Sequence, residues 1–284
     1  MKMDVSIIIV NYNTNQLTSN CISSIVEKTK DIEYEIILVD NASTDGSKEL
    51  FEKDARVTYI YSERNGGFGY GNNLGMKVAK GRYFFLLNSD TLLVNNAIKE
   101  FFDYAESQDQ KQVYGCYLQN AKGQYGCSSF FFPAFTIKEF LRRSLGNQHK
   151  EIVDFQIKNV EAISGADMFF HREIYDQTGG FDEHIFLYGE EGEWQYRMLK
   201  AGYTCCIIPQ PQIVHLEGQS MKMSPSKMAI KWRSHFYILR KHMFFPTYLL
   251  ARCFYACNLT IRNMSNLFNE DYKAYWKAVF GTIK

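Results

Sequence analysis

Two rhythms of apolar positions alternate over residues 1–110. Short, mostly apolar runs at 5–10, 35–39, 57–61 and 83–87 read as buried β-strands. Between them lie stretches of helical periodicity. Leu17, Cys21, Ile22 and Ile25 share one face of a helix over 14–28, with Thr14 as its N-cap. A short helix to about residue 53 follows the turn-rich 40–46, and a glycine-rich loop over 65–71 leads into a helix ending near Gly81. Asn95 starts another helix. Strand–helix alternation at this spacing predicts a parallel sheet with crossover helices.

The pattern loosens over 113–159 into hairpin-like and short helical pieces. It recovers at Ser164-Gly165-Ala166-Asp167, followed by a strand over 168–171 and a helix over 190–200 that Gly202 stops. Two short strands, 204–208 and 212–214, end at His215. Beyond Pro225 the chain reads as helical, basic and aromatic. No internal repeat or low-complexity segment interrupts it. These signals divide the chain into an α/β domain over 1–221, with halves at about 1–110 and 111–221, and a helical extension over 222–284.

Composition adds a charge asymmetry. With 284 residues and 46% hydrophobic positions the chain can bury a sizeable core. The formal net charge of +1 conceals two halves of opposite sign. Residues 222–284 carry 11 Lys/Arg against Glu270 and Asp271, whereas residues 1–221 carry 21 Lys/Arg against 29 Asp/Glu. A basic tail favours anionic partners such as a membrane surface. The seven cysteines show no paired spacing, which suggests free thiols and a reducing compartment. The apolar run at the start is too short for a signal-peptide core and reads as the first strand.

Candidate chemistry gathers at the carboxyl ends of the predicted strands, where parallel α/β sheets bind ligands. Asp40 ends the second strand, the loop of Asn65 and Gly67 follows the third, and Asn88-Ser89-Asp90 ends the fourth. Asp40 can accept hydrogen bonds from a nucleobase or ribose, and glycine-rich backbone can approach a nucleotide closely. Asp90 can hold a divalent ion bridging two phosphates. A turn or capping role is the simpler reading of each residue taken alone. Glu190, Glu191 and Glu193 open a predicted helix, where the dipole favours ionised carboxylates. The dinucleotide fingerprint is absent after the first strand, where Asn11-Tyr12-Asn13-Thr14 stands instead, and no Walker A loop occurs. The same stretch lacks the basic phosphate loop of a nucleotidyltransferase, and no nucleic-acid recognition motif accompanies the basic tail.

In their order along the chain these pieces become specific. Residues 5–13, 39–47, 65–73, 87–91, 164–166, 179–183, 190–197 and His215 together resemble the inverting family 2 glycosyltransferases of GT-A fold, especially their rhamnosyltransferase-like branch, over roughly residues 4–217. The resemblance implies a mixed, mostly parallel sheet with flanking helices. It implies that Asp40 contacts the base and that Asn11 and Asn13 lie beside the nucleoside. Asn65, Gly67, Asn72, Asn73 and Ser89 would line the donor site in loops. Asp90, at the last position of a DxD-type motif, and His215 would bind Mn²⁺ or Mg²⁺. Glu191 would be the catalytic base, with Glu190 as competitor. Asn88 replaces the first Asp of DxD, and Glu190-Glu191-Gly192-Glu193 replaces the usual Glu-Asp-x-Asp.

The implied activity is direct, inverting transfer of a sugar from a nucleotide-diphosphate donor, dTDP-rhamnose or a UDP-sugar. The acceptor would be a hydroxyl of a glycan or lipid-linked saccharide in surface polysaccharide synthesis. A nucleotide-sugar-binding protein with weak catalysis is the alternative that Asn88 and the altered acidic motif permit. The tail supports two readings, helices packed on the domain or an interfacial helix pair on anionic lipid. The second would place a cytoplasmic protein at the inner face of the plasma membrane.

Overall fold

The computed structural model describes residues 3–136, 138–139, 153–216, 225–262 and 277. One sheet organises them, in the order β3-β2-β1-β4-β11-β6-β12-β5. Its parallel half consists of β1 (Val5–Asn11), β2 (Tyr34–Asp40), β3 (Thr58–Tyr61) and β4 (Tyr83–Asn88). The other half mixes directions. Strand β11 (Asp167–His171) runs antiparallel to both β4 and β6 (Val113–Asn120), β12 (Cys205–His215) runs parallel to β6, and β5 (Thr91–Leu93) runs antiparallel to β12. Hairpin strand β7 (Tyr125–Cys127) pairs with β6 and β9 (Lys158–Val160) with β12, while β8 (Ser129–Phe130) and β10 (Ala162–Ile163) form a small second sheet. The expected mixed, mostly parallel sheet with flanking helices is therefore present.

Strand alternation distributes the core between two faces. Ile7, Ile9 and Leu38 pack with α1 (Asn15–Lys28), α2 (Ser47–Phe51) and α4 (Ala97–Glu106) through Ile22, Ile25, Phe51, Ile98 and Phe101. Ile8, Val39 and Leu86 face α3 (Phe68–Val78), α5 (Arg172–Thr178) and α6 (Glu190–Lys200) through Met76, Ile174, Trp194 and Met198. Burial on both faces explains why these strands read as unbroken apolar runs. Helix α3 lies close on β1, because a Cβ on Gly71 would come within 2.7 Å of Val10 and one on Gly75 within 2.5 Å of Ile8.

Three local expectations need correction. Residues 113–120 form a long central strand rather than a loose hairpin piece. The two short strands before His215 are one strand, whose pairing with β6 shifts register between Ile208 and Ile213, the stretch that holds Pro209 and Pro211. Thr14 occupies the N-cap position of α1 but makes no capping bond. Asp45 Oδ2 accepts from the Asn15 amide instead (3.0 Å), and Thr14 Oγ1 donates to Asn11 Oδ1 (2.9 Å).

The extension contributes α7 (Pro225–His242) and α8 (Phe245–Arg262). Phe236, Ile238, Leu239 and Tyr248 join Phe132, Phe135 and Ile185 in a third apolar cluster. Helix α7 is thus packed on the α/β domain. The boundary expected near residue 221 and the tail beyond residue 262, residue 277 excepted, lie outside the described residues.

Candidate active site

Strand register brings the candidate residues to one edge. Asn11 pairs with Asp40, Asp40 with Tyr61, and Val10 with Asn88, so the carboxyl ends of β1 to β4 stand level. A cavity of about 360 Å³ opens there. Asn65, Gly67, Ser89, Asp90 and His215 line it.

Asp90 and His215 meet because β5 and β12 pair antiparallel, with His215 opposite Thr91. His215 Nε2 lies 3.2 Å from Asp90 Oδ1, both side chains are largely buried, and the Leu216 amide donates to the Asp90 carbonyl (2.9 Å). Asn88 Nδ2 approaches the same His215 nitrogen (3.3 Å). A carboxylate oxygen and an imidazole nitrogen converging on one point form a donor set suited to Mn²⁺ or Mg²⁺. No group of three His, Cys, Asp or Glu able to hold a metal exists among the described residues. A cation held by Asp90 and His215 would need further ligands from outside these two side chains.

The remaining predicted residues are placed differently. Asp40 is fully buried, with Oδ1 accepting from the Ser43 amide (2.9 Å) and Oδ2 from the Tyr59 hydroxyl (2.8 Å). Asn11 is buried too, donating to Ser43 Oγ (2.9 Å) and accepting from Thr14 and Thr18. Asn13 is exposed at a φ of 54°, and its Oδ1 accepts from the Thr44 amide (2.7 Å). These residues fasten the β1 and β2 loops to one another, and the cavity wall consists of their neighbours. Asn72 and Asn73 were expected in a loop but belong to α3, which begins at Phe68. Asn72 donates to the Phe68 carbonyl, and Asn73 clips the Phe181 backbone through both amide atoms. Helix formation turns them away from the cavity.

Several lining residues were not anticipated. Tyr12, Thr14, Asn41 and Phe68 belong to motifs already noted, whereas Phe186, Leu187 and Tyr188 come from a segment without a sequence signal. Asn41 joins β2 to the glycine loop, donating to Asn65 Oδ1 and the Gly67 carbonyl (both 3.0 Å) and accepting from the Gly66 amide (3.2 Å). Gly67 has a φ of +89°, and a Cβ there would sit 1.8 Å from the Phe186 carbonyl oxygen. The positive φ of Tyr188 (70°), and of Gly189 after it (92°), marks the tight approach of this segment to α6.

Glu190 and Glu191 open α6, directly after that segment. The dipole argument predicted ionised carboxylates, but burial outweighs it and pushes both groups upward. The charge of Glu191 raises Glu190 further, which makes Glu190 the more readily protonated of the two. Backbone groups of Glu191 itself, Gly189 and Gly165 partly offset the burial of Glu191. The Oε2 atoms of both residues are buried without a hydrogen-bond partner among the described residues. Glu193 behaves oppositely. Hydrogen bonds from His242, Arg197 and Lys241 hold it at about 2 despite burial.

Comparison with known proteins decides the family. The Glycosyl transferase family 2 model matches residues 6–178. The chain belongs to glycosyl transferase family 2. This glycosyltransferase is similar to GlyG of Streptococcus pneumoniae, with 33% identity over 61% of this chain and 58% of GlyG. It is 25% identical to the dTDP-rhamnosyl transferase RfbF of Shigella flexneri, over 85% of this chain and 82% of RfbF. Among solved structures, GalNAc-T7 with UDP, GalNAc and Mn²⁺ aligns at a TM-score of 0.60 and 17% identity over 82% of this chain. Staphylococcus aureus TarS aligns at 0.56 and 16% over 85%. The chain spans 58% of GlyG, 47% of the GalNAc-T7 chain and 40% of the TarS chain. The solved structures share the GT-A fold. The chain therefore carries a glycosyl transferase family 2 domain over residues 6–178.

Proposed function

We propose that this glycosyltransferase moves a sugar, with inversion, from a dTDP- or UDP-linked donor to a hydroxyl of a glycan or lipid-linked acceptor in surface polysaccharide synthesis. The observation that carries the reading is the meeting of Asp90 with His215 beside the Asn65–Gly67 loop, in a cavity at the strand ends. Resemblance to RfbF over most of both chains favours a dTDP-deoxyhexose such as dTDP-rhamnose as donor.

Asp90 and His215 are the residues that would hold Mn²⁺ or Mg²⁺, which when bound supplies positive charge to the donor diphosphate. The Gly67 backbone and the Phe186–Tyr188 segment form the wall against which the donor would lie. Glu191 takes the proton of the acceptor hydroxyl, and the freed oxygen attacks the anomeric carbon opposite the departing diphosphate. Its raised affinity for protons suits a base working near neutral pH.

Thermal shift with dTDP and UDP, each with and without Mn²⁺, should show metal-dependent stabilisation by one of them. Glu191→Gln should keep that shift and lose about 10²- to 10⁴-fold in kcat, the range for a general base. Near-normal transfer by this variant would remove Glu191 from the role.

Contact with an anionic membrane belongs to the same reading. Among the described residues no helix is long and apolar enough to cross a membrane. Phe244 (77% exposed) and Leu250 (61% exposed) stand out on or next to α8, and residues 225–262 contain Lys and Arg but no Asp or Glu. Such a surface suits peripheral binding. Co-sedimentation with vesicles containing phosphatidylglycerol should be lost in a Phe244→Ser/Leu250→Ser double variant. Equal pelleting of that variant would remove these side chains from membrane contact.

A further inference from the structure

One fully buried carboxylate, Asp167, bridges strands β6 and β11. The two strands pair antiparallel at Phe170–Val113 and Phe169–Tyr114. Continued by two residues, the same register sets Asp167 opposite Cys116. There a side chain makes the link. Asp167 Oδ2 accepts from the Cys116 amide (2.7 Å), and Oδ1 accepts from the Ser128 hydroxyl. Ser128 is tied to β6 as well, its amide donating to the Cys116 carbonyl (3.1 Å). A Cβ on Gly115 would lie 3.4 Å from Asp167 Oδ2 and 2.6 Å from the Ile163 side chain, so the space between the strands is closely filled.

The bridge anchors the turn of residues 164–166 that precedes β11. The Ser164 amide donates to the Ser128 carbonyl (3.0 Å), and Ser164 Oγ accepts from the Ala166 amide (3.3 Å). From there the turn reaches both halves of the site. On one side the Ala166 carbonyl accepts from the Asn88 amide (3.1 Å), and Asn88 Nδ2 approaches His215 Nε2 (3.3 Å). On the other, the Gly165 backbone favours the charged form of Glu191, and a Cβ on Gly165 would lie 3.7 Å from Glu191 Oε1. A buried carboxylate is costly unless its hydrogen bonds are kept. Burial pushes Asp167 up to about 6, against hydrogen bonds from Ser128 and Cys116. Either protonation state preserves the bridge, because the Ser128 hydroxyl can donate to a carboxylate or accept from a carboxylic acid.

We infer that Asp167 is a positioning residue for glycosyl transfer. Through Ser128 and the 164–166 turn it fixes Asn88, beside Asp90 and His215, relative to Glu191. This role rests on the transfer reading above, and Asp167 acts through the turn without touching donor or acceptor.

The test compares the full-length wild type with Asp167→Ala, Asp167→Asn and Ser128→Ala. Turnover is followed as nucleotide release from dTDP-rhamnose and from UDP-glucose with Mn²⁺, water serving as acceptor. Asp167→Ala should lose about 10- to 100-fold in kcat, the scale of a misplacement of roughly an ångström, with KM nearly unchanged. The acid limb of its kcat profile should move to higher pH as the Gly165 backbone withdraws from Glu191. Asparagine keeps an acceptor for the Cys116 amide and offers its NH₂ to the Ser128 hydroxyl, so Asp167→Asn should recover most of the rate. Ser128→Ala retains the Cys116 bond and should show a smaller loss of the same kind, which keeps the role testable where Asp167→Ala does not fold. Hydrogen exchange at the Asn88 and Ser164 amides should quicken in both alanine variants, a readout independent of turnover. Wild-type kcat in both alanine variants would overturn the role. So would Asp167→Asn as slow as Asp167→Ala, which would assign the effect to charge, or a fall in melting temperature and nucleotide thermal shift without movement of the acid limb. Failure of the transfer reading shows differently, as no nucleotide release by the wild type, and amide exchange then still decides whether Asp167 holds the turn.

Discussion

Adjacent carboxylates at Glu190 and Glu191 have to divide one proton between them, and their surroundings decide the division. Burial raises both, and the charge of Glu191 makes Glu190 the protonated partner. A base acts only when deprotonated, so kcat should fall at low pH and rise as pH passes through the value of Glu191, above the usual 4.5. The neighbouring Glu190 side chain, when protonated, can act as a donor to Glu191 and so lower that value. Glu190→Ala removes the donor and should move the acid limb of the kcat profile to higher pH. Glu190→Gln retains an N–H donor and should move it less. A limb that moves to lower pH in Glu190→Ala would mean that Glu190 is charged and repels its neighbour. The motif exposed the two carboxylates and the helix start to a reader of the sequence, but not their protonation. Desolvation depends on what covers a side chain, and here the cover comes from distant segments such as the one containing Gly165.

Elements differed in legibility for related reasons. Strands β1, β2 and β4 were readable because apolar helices cover both faces and demand unbroken apolar runs. Strand β6 is equally buried over Val113–Tyr117, yet its core residues are Val, Tyr, Gly, Cys and Tyr, a run without strong apolar contrast. Strand β12 was read as two pieces because its prolines occupy the stretch where its pairing with β6 slips. Asp90 and His215 were foreseeable as candidates from motif order, and only the β5–β12 pairing shows how residues so far apart come together. The Phe186–Tyr188 wall left no trace in periodicity, since the partner that holds it is the backbone at Gly67. Gly67→Ala should therefore cost more than its glycine-only backbone conformation (φ 89°, ψ 178°) alone, which is roughly 1–3 kcal/mol. The new methyl would displace the Phe186 carbonyl, so both the melting temperature and the nucleotide thermal shift should drop. Gly46→Ala supplies the control, with a φ of +84° and no atom within 4 Å of the added Cβ. It should lower the melting temperature modestly and leave the nucleotide shift alone. Equal behaviour of the two variants would show that contact with Phe186 is unimportant.

At the scale of the molecule, the family match ends at residue 178, whereas the residues that complete the site and those that brace it lie beyond. Helix α7 grips the segment between α5 and α6 at several points. Ser234 Oγ donates to the Leu187 carbonyl (2.8 Å), Tyr237 donates to Asp182 Oδ2 (2.9 Å), and Lys241 reaches both Asp182 and Glu193. His242 and Arg197 add hydrogen bonds to the same Glu193 carboxylate, whose side chain is fully buried. The basic character of the extension is thus partly spent on acidic groups of the α/β domain, a use that charge counting alone does not distinguish from attraction to lipid. The arrangement makes stability depend on pH in a definite direction. Glu193 titrates near 4.5 when unfolded and near 2 when folded, so the folded state binds its proton less readily. Its contribution should be complete above about 4.5 and should disappear as pH falls toward about 2. The difference in melting temperature between the wild type and Glu193→Gln should follow the same course, large at neutral pH and shrinking through the acid range. Lys241→Met removes one of the three partners and should reduce the difference without abolishing it, because Arg197 and His242 remain. A difference that stays constant from neutral pH to pH 3 would show that the glutamate acts through packing and that its charge does not brace α6 against α7.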